Sequence, residues 1–573
     1  MPVKNNDVAE MFNKTADLLE LQGKNQYRVR AYRNAARTVN NLSQNISDMV
    51  KDDKDLTELS GIGKDLAGKI KKIVQCGYFD FLQQLEDEVP PELSEIMNIA
   101  GLGAKRVKKI YDELEVKNIE DLKKAAINKK IRNIEGFGLK TEEKILDGIK
   151  KVQKSNKRIK YAIAEQYAEP YINYLKKDKN IDKIEVAGSY RRKKETVGDI
   201  DILVTCKEGK EVTKRFTNYS DVQQVLSEGE TRASVILHNN LQVDLRVVNE
   251  KSYGSALMYF TGSKTHNIAI RKIATKQNWK INEYGVFENN KRIAGKTEEE
   301  IYKLLDLPYI PPELRENRGE IEAAQNNKLP DLIEVKDIKG DLHTHTNLTD
   351  GHHSLEKMTQ AAQKKGYQYI ANSEHSKRLT VAGGLTAKQL LKQIKEIDKL
   401  NEKLNNFVVL KSIEVDILEN GTLDLPDKIL KELDIVIGSV HSKFNLSKKK
   451  QTERILKAMD NPYFNILAHP TGRLINKREP YEVDMEKIIA AAKERGCILE
   501  LNAHPDRLDL NDAHCKLAKE IGVKFAISTD AHSIDDYDSI RFGVGQARRG
   551  WLEADDVVNT KSLEELRKII KRK

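Results

Sequence analysis

Cysteine is scarce in this chain. Only Cys76, Cys206, Cys497 and Cys515 occur, and no two stand in a C-x-x-C pair. Neither a disulfide framework nor a thiolate zinc site is indicated, and a reducing cytosol suits such usage. Glycine and proline are also few, 32 and 13 in 573 residues, so disorder is not the main theme. No uninterrupted apolar run approaches the ~18–20 residues that cross a bilayer, and the first segment, MPVKNNDVAEMFNKTADLLELQG, is polar and amphipathic. Neither export nor membrane attachment is expected, and the expected location is cytoplasmic.

What is plentiful is charge. Charged residues make up 32% of the chain and hydrophobic ones 39%, the balance of a helix-rich globular protein. Lys+Arg at 98 against Asp+Glu at 88 gives a formal +10, which leans towards polyanionic partners without requiring them. At about 100–200 residues per domain, a chain this long divides into several units.

The first 150 or so residues read as short amphipathic helices, and within them one pattern recurs: LSGIGKDLAGKI at 59–70, IAGLGAKRVKKI at 99–110 and IEGFGLKTEEKI at 134–145. The glycine pairs Gly61/Gly63, Gly101/Gly103 and Gly136/Gly138 allow a turn that presents backbone N–H groups and a helix N-terminus to a phosphate. One copy is equally well a tight helix-to-helix turn. Three copies favour nucleic-acid binding through the backbone rather than the bases, and they resemble helix-hairpin-helix motifs.

From Ile184 the pattern becomes strand-like, with IEVAGSY, DIDILVTC, ASVILH and LQVDLRVV. In GSYRRKKETVGDIDILV, D-I-D on a strand puts Asp199 and Asp201 on one face, and Asp244 lies mid-strand in LQVDLRVV. Three converging acids are costly unless a cation neutralises them, and divalent ions between such acids serve phosphoryl transfer. The Gly188-Ser189 turn with Arg191 and Arg192 offers donors suited to a triphosphate. Read alone, D-x-D is more often a solvated strand edge.

Residues 188–204 resemble the nucleotidyltransferase signature of family X DNA polymerases, relatives of DNA polymerase beta. The resemblance implies metal binding by Asp199, Asp201 and Asp244 and nucleotide binding by Gly188, Ser189 and Arg192. YFTGSKTHNIAIR at 259–271 resembles the segment lying against the sugar and nascent base pair. It implies Tyr259, Phe260 and Gly262 at the 2′ position, Asn267 near the base and Arg271 towards the template. INEYGVF at 281–287 matches the thumb. Lys264 and His266 depart from the animal enzymes' Asp and apolar aromatic, which implies altered nucleotide stacking. Lys69 matches those enzymes' Schiff-base lysine, although Asp65 replaces a second lysine there. A lyase role and a plain phosphate contact both remain open for Lys69.

Ten of the twelve histidines fall after residue 340. Strands there alternate with helices, as in YQYIANSEHS, NFVVLKSIEVDIL, LDIVIGSVHS, FNILAHP, CILELNA and KFAISTDAH, the rhythm of a βα barrel or a doubly wound sheet. His343 and His345 share one face of a strand end, and His375, Glu414, His441, His469, Asp530 and His532 fall at or near C-terminal strand ends, the usual catalytic face. Imidazole and carboxylate without thiolate suit Zn²⁺, Mn²⁺ or Fe²⁺, and their number implies more than one ion. This region resembles PHP (polymerase and histidinol phosphatase) domains, trinuclear metal phosphoesterases. The resemblance adds Asp350 to those eight residues as a ligand and implies three ions, Mn²⁺ or Zn²⁺. Glu374 stands where that family usually has Asp, and His352, His353, His504 and His514 match no ligand position.

The expected architecture is multidomain, with α-helical helix-hairpin-helix domains at 1–88 and 89–153, an α/β nucleotidyltransferase palm at 154–250 and a thumb at 251–316. A linker at 317–335 and a βα, distorted-barrel PHP domain at 336–573 complete it. This order resembles bacterial and archaeal PolX proteins. The resemblance implies a monomer that fills gapped or nicked DNA from dNTPs in base excision repair with Mg²⁺ or Mn²⁺. It also implies a 3′–5′ exonuclease with 3′-phosphodiesterase and abasic-site endonuclease activity. Two rivals are a nuclease whose polymerase half only binds DNA, and a small-molecule phosphoesterase with a DNA-binding arm.

Overall fold

The structure, a computed structural model, describes residues 3–571 apart from 43, 44, 60, 98, 100, 156 and 157. Two compact units divide at Ile159/Lys160. Among the described residues no helix is long and apolar enough to cross a membrane.

The first unit is helical. Its opening helix, Asn5–Leu21, buries Val8, Phe12, Ala16 and Leu19 at helical spacing. Phe12 meets Tyr32 and Phe79 edge-on, with ring centroids 5.6 and 5.9 Å apart. Burying each such side chain stabilises the unit by roughly 1.5–3 kcal/mol. Three further helices begin directly after the glycine pairs: Lys64–Cys76, Ala104–Leu114 and Leu139–Ser155.

The second unit starts with a five-stranded mixed sheet ordered Ile181–Val186, Asp199–Cys206, Gln242–Val248, Arg232–Leu237 and Val222–Glu228. The two strands bearing the acids run parallel, whereas every other neighbour is antiparallel. Helices Tyr253–Thr261 and Lys264–Lys276 follow, then a three-stranded antiparallel sheet and the helix Glu298–Leu304. Arg315, fully buried, donates to Glu298 at 2.5 Å, and Arg191 donates to the same carboxylate at 2.7 and 3.0 Å.

Residues 317–335 depart from the expected linker. They hold the helix Glu320–Gln325, whose Ile321 and Ala324 pack with Ile310, Leu314 and Leu332, and Leu332 bridges to Glu553. The polar sequence hid this because the helix is under two turns long and its anchor is a charged group: Glu320 accepts from His266 Nδ1 at 2.8 Å and from the Asn317 and Arg318 N–H groups.

Beyond it, seven parallel strands follow chain order, and the sheet curls until its ends meet, with Thr344 paired to Ala531. Of the two architectures open in the sequence, the barrel is the one formed. Its strands are buried on both faces, as parallel strands covered by helices must be, so they read as continuous apolar runs.

Two candidate metal centres

Strand pairing sets Asp201 directly opposite Asp244, while Asp199 projects from the same face two residues earlier. Asp244 accepts from the Ser234 hydroxyl and from Gln242 Nε2 at 2.9 Å. Burial first, then the neighbouring Asp199 and Asp244 charges, push Asp201 up to about 7. Such acids suit a divalent cation, which removes the repulsion that the fold imposes.

Above them, Gly188–Arg191 forms one helical turn, entered at Gly188 with φ +63°. Ser189 Oγ is buried there without a hydrogen-bond partner, a donor reserved for something absent from the chain itself. Arg192 reaches the Thr261 carbonyl and Glu316 Oε1, the latter at 3.0 Å. Arg191, expected beside it, turns away to Glu298 and to Thr261 Oγ1 at 2.8 Å, so its part is structural. Tyr259 and Phe260 stack edge-on at 5.1 Å, Arg271 lies over the Tyr259 ring, and Asn267 donates to the Tyr259 carbonyl at 2.7 Å. His266 does not face this surface. It is buried between Glu320 and Tyr302, whose hydroxyl is 2.9 Å from its Nε2, and the expected change in nucleotide stacking finds no basis in it.

At the mouth of the barrel, three groups of side chains each place ligand atoms within 4.8 Å of one another: His345, Asp350, His375 and His532; His343, His345 and Asp530; and His375, Glu414 and His441. His345 and His375 are shared between groups, and His469 Nε2 joins Glu414 at 2.9 Å. All nine residues implied by the PHP resemblance therefore meet in one cluster.

The cluster fits cations for a reason independent of motif. His343 Nε2, both ring nitrogens of His345, Asp350 Oδ1, His375 Nδ1, Glu414 Oε2 and His469 Nδ1 are buried with no hydrogen-bond partner. His375 Nδ1 and Glu414 Oε2 lie only 2.7 Å apart yet out of hydrogen-bonding alignment. Orphaned polar atoms cost roughly 1–3 kcal/mol each, so seven concentrated on six neighbouring ligand residues are what bound cations would relieve. His469 and Asp530 also hold left-handed backbone, φ +27° and +55°, which non-glycine residues adopt at a cost of roughly 1–3 kcal/mol. Burial, then the His532 and His375 charges, push His345 down to about 3. Against burial, Glu414 and Asp350 hold His375 up at about 10. The two rings, 4.4 Å apart, thus meet opposite fields.

The sequence reading missed the groups behind these ligands. Glu500, fully buried, accepts from His343 Nδ1 at 2.7 Å and from the His469 N–H at 2.7 Å. Asp416 lies 3.3 Å from His441 Nδ1, and Asn502 donates to Asp530 at 3.1 Å. Asp341 braces the His343 N–H and Thr529, with burial raising it to about 6. Such partners fix ring orientation and tautomer. Their signal was present as acids inside apolar strand runs, in ILELN and IEVDIL. Glu374, the departure from the PHP pattern, is buried and accepts from the hydroxyls of Thr346 and Thr349 behind the cluster.

In the helical unit the first glycine of each pair is left-handed, residues 60 and 100 of the first two turns lying outside the described residues. Gly61, Gly101 and Gly136 have φ of +68°, +89° and +85°, each followed by an N–H returning to the residue before the turn: Ile62 to Leu59, Leu102 to Ile99, Phe137 to Ile134. Gly63 and Gly103 cap the helices that follow, and Gly138 accepts from Thr141 N at the start of the third. Lys69 pairs with Asp65 and lies over the Tyr32 and Phe81 rings at 5.4 and 5.7 Å, with its side chain 16% exposed.

Comparisons with known proteins agree with this division. Family models match residues 3–79 as a helix-hairpin-helix domain, 92–151 as a SAM-like helix-hairpin-helix tandem, 256–316 as a DNA polymerase beta thumb and 341–504 as a PHP domain. The chain is 40% identical over 570 residues to "DNA polymerase/3′-5′ exonuclease PolX" of Bacillus subtilis (strain 168), covering 99% of both chains. It is 35% identical over 232 residues to a "probable phosphatase" of Thermoanaerobacter sp. (strain X514), covering 38% of this chain and 89% of the relative. A "probable phosphatase" of Acetivibrio thermocellus is 31% identical over 250 residues, 41% of this chain and 95% of the relative.

Proposed function

The chain belongs to the PolX family, family X DNA polymerases with a C-terminal PHP domain, and from that membership we propose a two-centre enzyme that extends DNA 3′ ends and also hydrolyses them. The carrying observation is that one chain holds two separate sets of candidate ligands: Asp199, Asp201 and Asp244 on one face of paired parallel strands, and nine histidines and acids clustered at the barrel mouth.

At the first centre the substrates are DNA and dNTPs. Ser189 and Arg192 bind the triphosphate, Tyr259, Phe260 and Gly262 crowd the sugar, Asn267 lies near the base and Arg271 meets the template. The primer 3′ oxygen attacks the α-phosphate and pyrophosphate leaves, while Asp199, Asp201 and Asp244 would hold the cations. At the second centre the nine ligands hold the ions, while Glu500, Asp416 and Asn502 keep the rings and carboxylates aimed. Divalent cations supply Lewis acidity at both centres when bound. Mg²⁺ or Mn²⁺ is our assignment for the acids, and three Mn²⁺ or Zn²⁺ ions for the barrel.

The substrate is short-gapped or nicked DNA and the role is base excision repair. The glycine turns support a DNA substrate, because the left-handed Gly61, Gly101 and Gly136 lead into helix N-termini suited to phosphates rather than bases. The 3′-phosphodiesterase and abasic-site activities belong to the barrel, and Lys69 is the candidate lyase residue. A gapped, 5′-phosphorylated duplex incubated with Mn²⁺, with and without dNTPs, tests the division. Asp244→Ala should abolish extension alone and His343→Ala degradation alone, and loss of both in either variant sinks the two-centre reading.

A further inference from the structure

Arg549 ends the helix Ile540–Arg549 of the barrel domain and is almost wholly buried. Its guanidinium donates to the Arg192 backbone carbonyl at 2.7 Å, to Glu316 Oε1 at 3.1 Å and to Asp512 Oδ2 at 2.6 Å. The same Glu316 oxygen accepts from Arg192 Nε at 3.0 Å. Arg192 is therefore gripped twice by one residue of the other domain, at its main chain directly and at its side chain through Glu316. Its guanidinium also donates to the Thr261 carbonyl, which ties it to the segment against the sugar, and a Cβ on Gly262 would lie 3.3 Å from its Nη1.

Arg192, Glu316, Arg549 and Asp512 alternate in sign and have side chains between 2% and 15% exposed. Charges so desolvated are costly unless each meets its partners, and removing one member leaves the rest misplaced. Burial raises Glu316, yet Arg549 and Arg192 hold it below the ordinary carboxylate range. Only a guanidinium serves three acceptors in a fixed fork. Other ion pairs also join the barrel to the rest of this unit, among them Arg548 with Glu313 at 2.7 Å and Arg473 with Glu195 at 2.7 Å, but neither contacts Arg192.

We infer that Arg549 and Glu316 are positioning residues for nucleotide incorporation: through them the barrel domain fixes the arginine that takes the incoming triphosphate. The inference rests on the assignment of Arg192 to the triphosphate, and its test separates the two. Binding of the matching dNTP is measured on full-length protein carrying His343→Ala, so that the primer survives, with a gapped duplex ending in a dideoxynucleotide. Arg549→Met and Glu316→Gln are expected to weaken dNTP binding about tenfold with DNA binding unchanged. Arg548→Met, which breaks the neighbouring Glu313 pair and the bonds to the Leu332 and Ile333 carbonyls but touches neither Arg192 nor Glu316, should leave it unaltered. Hydrolysis of 3′ ends by Arg549→Met with His343 restored reports that the barrel is folded; if it is not, Glu316→Gln alone decides. Equal weakening in Arg548→Met, or unchanged dNTP binding in Glu316→Gln or a folded Arg549→Met, overturns the inference. Unchanged binding in Arg192→Ala instead overturns the triphosphate assignment beneath it.

Discussion

A methyl group placed on Gly188 would lie 2.3 Å from Asp201 Oδ2, closer than any Cβ tolerates. The glycine also holds φ +63°, so alanine is strained there twice over. Gly188→Ala must displace either the turn that carries Ser189 or the central carboxylate. Primer extension should fall on the order of 10²-fold, with 3′-end hydrolysis retained, as read on one labelled duplex with and without dNTPs. Extension at the wild-type rate would show that neither group matters where it stands.

Glu500 bears on the candidate ligands through His343, the His469 N–H and Asn502, which also donates to Asp530. Replacing it with glutamine keeps its size and removes its charge. Partners of this kind are worth roughly 10–100-fold in metal affinity or activity, so Glu500→Gln should lower both bound metal and 3′-end hydrolysis by that factor. Elemental analysis alongside a hydrolysis assay decides it, and full metal content with full hydrolysis would make Glu500 a bystander.

Glu298 gives stability a definite pH window. Burial raises its carboxyl, but Arg315 and Arg191 outweigh burial and hold it at about 2, against an ordinary 4.5. Between those values the unfolded chain binds the proton and the folded chain does not. Stability from this group is therefore complete above 4.5 and is lost as pH falls towards about 2. Glu298→Gln should cost roughly 3–5 kcal/mol at neutral pH by stranding Arg315, and should flatten the decline in melting temperature below pH 4.5. Parallel melting curves for the two proteins across that range would refute the assignment.

Lys69 is tested by trapping. If it attacks the sugar of a 5′-deoxyribose phosphate, borohydride should capture a covalent adduct that Lys69→Ala loses. A wild-type protein yielding no adduct reduces Lys69 to a phosphate contact.

What was legible in the sequence follows from how far each feature depends on neighbours along the chain. Asp199 and Asp201 are two residues apart on a strand, and the glycine pairs are themselves two apart, so strand alternation and turn chemistry reveal them. His375, His441, His469 and His532 could be read because each follows an apolar strand by a few residues. Arg191 and Arg192 are adjacent and chemically identical. Only Glu298 and Glu316, over a hundred residues away, tell them apart: Arg191 pairs with the first and Arg192 with the second. His266 was misread for the same reason, since Glu320 and Tyr302 claim it from a distance. Glu500 was overlooked because a strand acid in an apolar run shows nothing of the imidazole that awaits it.

Barrel closure through Thr344 and Ala531 has a consequence for biosynthesis. The ribosome makes His343 and His345 early in the domain but Asp530 and His532 near its end, and these four belong to shared ligand groups. Arg549 emerges later still. A chain stopped before Asp530 would carry Asp199, Asp201 and Asp244 but would lack a complete barrel ligand set and the Arg549 bonds to Arg192 and Glu316, so the two centres depend on the same late stretch of synthesis.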